Sequence, residues 1–356
     1  MKILHSADLH LDAPFTGRTD AQTKLLRKAL ERVPGQLADL CRREGCDLVL
    51  LAGDLFDGKW TRGSYQALYT ALEEMGVPVF ISPGNHDFYS SESPYFTEKW
   101  PDNVHIFTHP EIESVVLPQL NCRIYGAGYR SMDCEGLLDG FHVQGEENYH
   151  IGILHADPTV AGSPYCPMTA AQIRKSGLHY LALGHIHKTG HLKAGQTLCA
   201  WPGCPMGRGY DETDIKGAYI VTLEDTAQAN FIPLDTPRFY DIEISPGIDA
   251  HAALNAVLPA MADENFYRIT FVGEAPQPDL ETLRADFDRF PHLELRDRTV
   301  PERDIWGTAG DDTLEGVYFR RIKEAMEAAE GEDREILTLA ARISRQILDG
   351  QEVLLP

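Results

Sequence analysis

Short apolar runs punctuate the first half of the chain, and each stops at a polar residue. Ile3-Leu4 leads through His5-Ser6-Ala7 to Asp8-Leu9-His10. Val49-Leu50-Leu51-Ala52-Gly53 stops at Asp54. Val79-Phe80-Ile81 passes Ser82-Pro83-Gly84 and meets Asn85-His86-Asp87. Ile151-Gly152-Ile153-Leu154 ends on His155, and Tyr180-Leu181-Ala182-Leu183 ends on Gly184-His185-Ile186-His187. These read as strands of an α/β sheet that presents side chains at its carboxyl ends, where such folds keep their sites. Between them Leu25, Leu26, Ala29, Val33, Leu37 and Leu40 recur at helical spacing over 21–43, with Pro34 a predicted kink or break. A second helix is expected over 64–75 and a third over 169–176. Strand–helix–strand alternation predicts a parallel core with right-handed crossovers.

From 103 to 128 the apolar runs are short and close, and 112–117 and 122–125 read as antiparallel strands. Segments 197–201, 217–223 and 230–234 read as a further antiparallel set. A two-sheet α/β sandwich flanked by helices, spanning 1–237, accounts for this order. Pro237 marks the expected boundary of a small α+β unit over 238–300. In 301–356 two amphipathic helices are predicted, one striped by Leu314, Val317, Ile322, Met326 and Ala329, the other by Ile336, Ala340, Ile343 and Ile347. Gly331 stops the first and Asp333 is an N-cap for the second.

Composition changes this picture little. The chain has 356 residues, 43% hydrophobic and 24% charged, ordinary for a globular protein. No apolar run approaches the length of a membrane helix. The first residues read straight into a strand, without a basic region, apolar core and cleavage site, which predicts a cytoplasmic protein and no membrane. The cysteines at 41, 46, 122, 134, 166, 199 and 204 include no CxxC pair, so free thiols are expected and a cysteine zinc site is not. The formal net charge of -22 bears directly on function. A nucleic-acid binder is usually basic on at least one face. Either the negative charge sits on metal ligands and away from any DNA path, or DNA is not the substrate.

The chemistry lies in the residues that end the five runs. Histidine, asparagine and carboxylate ligands without thiolate suit manganese, zinc or iron. His185 and His187 would diverge on a regular strand. Past the strand end the chain can curl so that both reach one centre, and Gly184 leaves their approach open.

The order Asp-x-His, Gly-Asp, Gly-Asn-His-Asp, His and Gly-His-x-His resembles the calcineurin-like metallophosphoesterases. The wording HSADLHLDAPF, LLAGDLFD, GNHD, LALGHIHK and PGCPMGR resembles, more narrowly, the SbcD-type DNA repair exonucleases and their YhaO-like branch, over roughly residues 1–237. That resemblance implies two divalent metal ions, manganese first with iron or zinc as alternatives. It assigns Asp8, His10 and His187 to one ion, Asn85, His155 and His185 to the other, and Asp54 to both. Two such ions generate a nucleophile and neutralise phosphate charge. His86 is then the candidate to protonate or stabilise the leaving group, and Asp87 the candidate to orient His86, with turn capping as its alternative. Relatives carry a histidine where this chain has Asp57, so either Asp57 acts through water or this branch places its substrate differently, and Asp57 is expected behind the ligands. The loop from Pro202 to Arg208 is expected beside the site, Gly203 and Gly207 offering backbone N–H groups and Arg208 a guanidinium to phosphate. Its alternative is a rigid turn. Asp12 is expected either on a ligand histidine or as a cap. Tyr89 and Tyr129 are candidates for base stacking, with packing the commoner role. His5, His109, His142 and His191 stand outside the site.

The resemblance also implies DNA as substrate, an SMC-like ATPase as partner through the C-terminal helices, a capping role for 238–300, and a possible homodimer. The competing readings are a phosphodiesterase or phosphatase acting on a small nucleotide-like molecule, and a metal-binding regulatory subunit with little turnover.

Overall fold

The computed structural model describes residues 1–247, 249–301 and 304–350. Residues 302, 303 and 351–356, part of the segment expected to carry the C-terminal helices, lie outside the described residues, as does 248. The chain divides into two compact units. One comprises Met1–Ile242, Met261–Ile269 and Phe287–Glu294, the other Glu243–Ala260, Thr270–Asp286 and Leu295–Pro356.

In chain order the strands of the first unit's two large sheets are β1 (Lys2–Ser6), β2 (Leu48–Leu51), β3 (Val79–Ile81), β4 (Val104–Ile106), β5 (Glu113–Leu117), β6 (Cys122–Gly126), β7 (Tyr149–His155), β8 (Tyr180–Gly184), β9 (Gly190–Ala194), β10 (Thr197–Trp201), β11 (Gly217–Leu223) and β12 (Ala227–Pro233). One sheet has the order β12-β11-β1-β2-β3-β4, the other β5-β6-β7-β8-β10-β9. β1 to β4 run parallel, as do β6, β7 and β8. The sandwich is the one the apolar runs predict. One placement differs: β10 was expected in an antiparallel set with β11 and β12. It pairs in parallel with β8 in the other sheet. Its register, Leu198 opposite Tyr180, lets its apolar residues extend the interior already begun by β8.

Period-two alternation sorts side chains between layers. Ile3, Leu48, Leu50 and Phe80 face inward against Ile124, Ile151, Ile153, Tyr180 and Ala182 of the opposite sheet. Their neighbours Leu4, Val49, Leu51, Val79 and Ile81 face outward, under helices α1 (Asp20–Glu44) and α2 (Arg62–Met75). α1 is one continuous helix through Pro34. Thr19 and Gln22 form a capping box at its start, and Gly45, at φ 62°, closes its end. A short helix, α3 (Pro94–Thr97), follows β3. α4 (Ala170–Ser176) covers the outer face of the second sheet, with Ile173 beside Leu181 and Cys199. All seven cysteines are free.

A third sheet has the order β13 (Phe239–Ile244), β14 (Phe266–Glu274), β15 (Leu293–Val300). The later helices are α5 (Ala250–Val257), α6 (Leu280–Asp286), α7 (Leu314–Ala328) and α8 (Gly331–Leu348). Among the described residues no helix is long and apolar enough to cross a membrane.

Candidate metal centre

The carboxyl ends of β1, β2, β3, β7 and β8 open into five loops that meet at one place. The backbone holds the first two together: Asp8 N–H donates to Gly53 O (2.9 Å), His10 N–H to Asp54 O (2.9 Å) and Asp57 N–H to Leu11 O (2.9 Å). Asp8, His10 and Asp54 adopt positive φ of 53°, 46° and 50°, and His185 of 93°. Non-glycine residues avoid this region, and such strain collects where the surrounding structure holds a site in place. Gly53 and Gly84 allow the loops to approach. A Cβ on Gly53 would stand 2.5 Å from His155 Nδ1, and one on Gly84 2.2 Å from Asp54 Oδ1.

Among the described residues the donor atoms converge in four overlapping groups: Asp8 with His10 and His187, Asp8 with Asp54 and His155, His10 with Asp54 and His86, and His187 with Cys204 and Glu212. His10 Nε2 faces His187 Nε2 at 3.1 Å, and His155 Nε2 faces Asn85 Oδ1 at 2.9 Å and Asp54 Oδ2 at 3.3 Å. The outward nitrogens are already committed. His10 Nδ1–H donates to Asp57 (2.9 Å), His187 Nδ1–H to Glu212 (2.7 Å) and His155 Nδ1–H to Ala52 O (2.9 Å). A neutral imidazole with one nitrogen donating presents a lone pair at the other. Three imidazole nitrogens, two carboxylates and an amide oxygen therefore face one buried spot. Burial lowers the pKa of His10. Burial also opposes charge on His155, yet the carboxylates of Asp54 and Asp8 outweigh it and raise its pKa to about 9. The pocket calls for positive charge, and divalent cations fit this donor set.

His185 enters differently from the expectation. Its N–H donates to both Asp8 oxygens (3.0 and 3.1 Å). Its ring lies 4.5 Å from that of Tyr165 and 5.3 Å from that of His155. Its nitrogens join none of the convergent groups.

His86 projects to the half-open side, its Nδ1 3.1 Å from Asp57 Oδ1. That contact, aided by the charges of Asp54 and Asp57, raises the His86 pKa against its partial burial. Hydrogen bonds from His10 and His86 hold the Asp57 carboxyl far below the usual range. Asp57 is thus the carboxylate that orients His86, and the expectation for Asp87 is corrected. Asp87 is buried and accepts from Leu55 N (2.7 Å), Phe56 N (3.2 Å), Gly84 N (2.8 Å) and the Tyr95 hydroxyl (2.6 Å). It ties the β2 and β3 loops together, the capping alternative. Asp12 is a cap as well, accepting from Thr61 N (2.8 Å) and Oγ1 (3.0 Å) and from the Ser64 hydroxyl at the start of α2.

Arg208 reaches the site, with Nη2 3.0 Å from His187 Nδ1 and 3.1 Å from Glu212 Oε1, and Nη1 3.8 Å from Asp57 Oδ1. It lines a cleft of about 710 Å³ with Asp57 and His86. Gly203 and Gly207 do not line it. Gly203, at φ +75°, lets the loop pass His187 O, which a Cβ would approach to 2.4 Å, and Gly207 packs against Glu212 O. Their place is the rigid turn. Tyr129 is buried with its ring edge-on to His155 at 5.6 Å, so it is no base-stacking platform. Tyr89 packs against Phe96 and under Arg130.

Glu212 is the site residue the sequence reading missed. Burial opposes its charge, but His187 and Arg208 outweigh burial and hold its pKa below the usual range. Its one signal was a position four residues past Arg208, which carries no weight outside a helix.

Comparison with known proteins agrees with this geometry. Residues 1–189 match the calcineurin-like phosphoesterase family. The chain is 31% identical over 343 residues to the uncharacterized metallophosphoesterase YhaO of Bacillus subtilis, covering 88% of this chain and 82% of that protein. It is 24% identical over 269 residues to the SbcD component of the nuclease SbcCD from the same organism, covering 63% and 66%. Among solved structures, a dimetal phosphatase from Danio rerio superposes with a TM-score of 0.44 at 14% identity, covering 65% of this chain and 96% of the other. The chain belongs to the calcineurin-like metallophosphoesterases. It is accordingly a dinuclear metal phosphoesterase, a hydrolase of phosphate esters.

Proposed function

We propose that this protein is a metal-dependent DNA exonuclease, with some capacity to cut single strands internally, that works in DNA repair beside an SMC-like ATPase. The observation that carries the reading is the half-open placement of His86 and Arg208 beside the converging ligands, since a phosphodiester within a chain needs an accessible site. The similarity to the SbcD component of the nuclease SbcCD supports the polynucleotide. In this reading Asp8, His10 and His187 would hold one divalent ion, manganese first, Asn85 and His155 a second, and Asp54 both, while His185 stays beside them with its N–H on Asp8. Such ions supply a nucleophile at neutral pH and charge neutralisation at phosphorus. Asn85 contributes a neutral oxygen, Glu212 and Asp57 fix the rings of His187 and His10, and His86 holds the proton for the departing oxygen. Asp57 keeps that proton on His86 and points its ring. Arg208, anchored by Glu212, meets the phosphate with its free guanidinium edge. The segment 238–300 caps the DNA path. Leu314, Ile336, Ile347 and Leu348, exposed on α7 and α8, offer the ATPase an apolar face.

The net charge of -22 favours a second reading, a phosphodiesterase of small nucleotides. Turnover of a short DNA duplex, a single strand, bis-p-nitrophenyl phosphate and free nucleotides, each with manganese, separates the two. Cleavage of both DNAs is the expected result. Turnover of the small esters with intact DNA would contradict the nuclease reading.

A further inference from the structure

The cleft beside the centre holds cationic groups that hydrolysis at the metal ligands does not use. Beyond His86 and Arg208 its wall is formed by Arg18, Tyr210 and Arg268. Phe15 and Gly17, both at positive φ, turn the chain after β1 so that Arg18 comes back to this wall. Its guanidinium carbon lies 4.9 Å from the centre of the Tyr210 ring, 5.0 Å from that of Phe239 and 5.6 Å from that of Phe266. Arg268 lies 3.7 Å from the same Tyr210 ring. Aromatic faces hold a guanidinium by its flat side and leave its N–H edge for a ligand.

The charges in the cleft do not balance at Arg18. Arg208 is met by Glu212 and Asp57, and Arg268 by Asp241 (3.4 Å) and Glu294 (3.3 Å). Arg18 has no carboxylate within ion-pair distance among the described residues. Asp211 lines the same cleft but makes no ion pair with it. In a chain of net charge -22, an uncompensated guanidinium at the mouth of a phosphoesterase site concentrates anions there.

We propose that Arg18 and Arg268, held by Tyr210, form a subsite for a second phosphate of the substrate, one linkage away from the phosphate that is hydrolysed. The inference rests on the centre acting on nucleotide phosphates. The second phosphate belongs either to the next link of a polynucleotide or to the far end of a small bisphosphorylated nucleotide, and the two share one chemistry.

Binding rather than turnover tests it. The probes are thymidine 3′,5′-bisphosphate and the two thymidine monophosphates, titrated into the manganese-loaded full chain. A charge-assisted contact predicts that the bisphosphate binds about tenfold tighter or more than either monophosphate. Arg18→Gln and Arg268→Gln should each erase most of that ratio, and Arg18→Lys, which keeps the charge and loses the fork, should keep part of it. Two guanidiniums on separate segments are tested independently, so misfolding of one variant leaves the other. Equal affinity for all three probes in the wild type, or an unchanged ratio in both glutamine variants, would overturn the subsite. Competition by single-stranded decathymidylate then decides the source. Displacement of the bisphosphate places the subsite on a DNA track. Failure to displace it keeps the subsite and assigns it to a small nucleotide, and only the nuclease reading falls.

Discussion

His86 is where the proposed chemistry depends most on a single side chain. Asp57 holds its Nδ1, and none of its nitrogens need bind a cation for it to give a proton. Loss of a general acid typically lowers the rate by about 10²- to 10⁴-fold. His86→Ala should therefore retain its metals and bind DNA as the wild type does, yet cleave it slower by about that factor. With bis-p-nitrophenyl phosphate the deficit should shrink, because p-nitrophenolate departs without a proton. Equal deficits on both substrates would remove the proton-donor role. A second histidine shows a purely structural residue at work. His5 is fully buried inside the sandwich. It accepts from the Tyr180 hydroxyl at Nδ1 (2.7 Å) and donates to Leu183 O from Nε2 (3.1 Å). Burial lowers its pKa from 6.5 to about 3. The unfolded chain takes up a proton below pH 6.5 that the folded chain refuses. The stability held above that pH is therefore lost as pH falls toward 3. Urea midpoints followed from about pH 6.5 down to about pH 4 should fall less steeply in His5→Gln, by one proton's worth of slope. Identical slopes would mean that His5 does not stay neutral in the fold.

At the scale of elements, the strand ends are the device that builds the site, and the glycines set how close their loops come. A methyl group on Gly84 would meet Asp54 Oδ1 at 2.2 Å and Asp54 N at 2.8 Å. Gly84→Ala must push the β2 loop away and should lower bound metal and phosphodiesterase activity together, with the chain still folded. Gly35, inside α1 with nothing within 4 Å of the added carbon, is the control. Gly35→Ala should leave the metals alone and raise stability by about 0.5–1 kcal/mol. Full metal content in Gly84→Ala would show that the close approach of these loops is not needed for binding. The strands that carry the site were legible because each apolar run ends on a ligand type within one to four residues. β9 carries no strand signal in the sequence, since Gly190–Ala194 alternates between half-buried and exposed positions up to Ala194 and resembles a polar loop. The partner of β10 is not legible in the sequence because its uniform apolar run suits either sheet. Within the site, sequence order suggested Asp87 for His86, being adjacent. The fold instead brings Asp57, 29 positions earlier, because the β2 loop folds across the β3 loop. Glu212, Arg18 and Arg268 reach the cleft from loops and a strand with no motif of their own.

Across the whole molecule the charge is the strongest constraint on what can bind. A chain of net charge -22 repels DNA at long range, so any DNA affinity must come from local contacts near the cleft. If DNA binds through phosphate contacts, its affinity should fall with salt at a log–log slope of about -0.9 per neutralised phosphate. Arg208→Ala should flatten that slope by about one unit. A salt-independent affinity would leave no place for a phosphate track. The family assignment establishes phosphoester hydrolysis. The proposal goes further, to this nest of strand ends as the metal ligands and to DNA as the substrate. Its most direct test is to strip the protein with a chelator and return manganese in steps, counting bound metal per chain while following cleavage of end-labelled DNA. Cleavage should stay near zero until the second ion binds and rise in step with it, and Asp54→Ala should reach neither state. DNA left intact with two ions bound per chain, or full metal content in Asp54→Ala, would contradict the account.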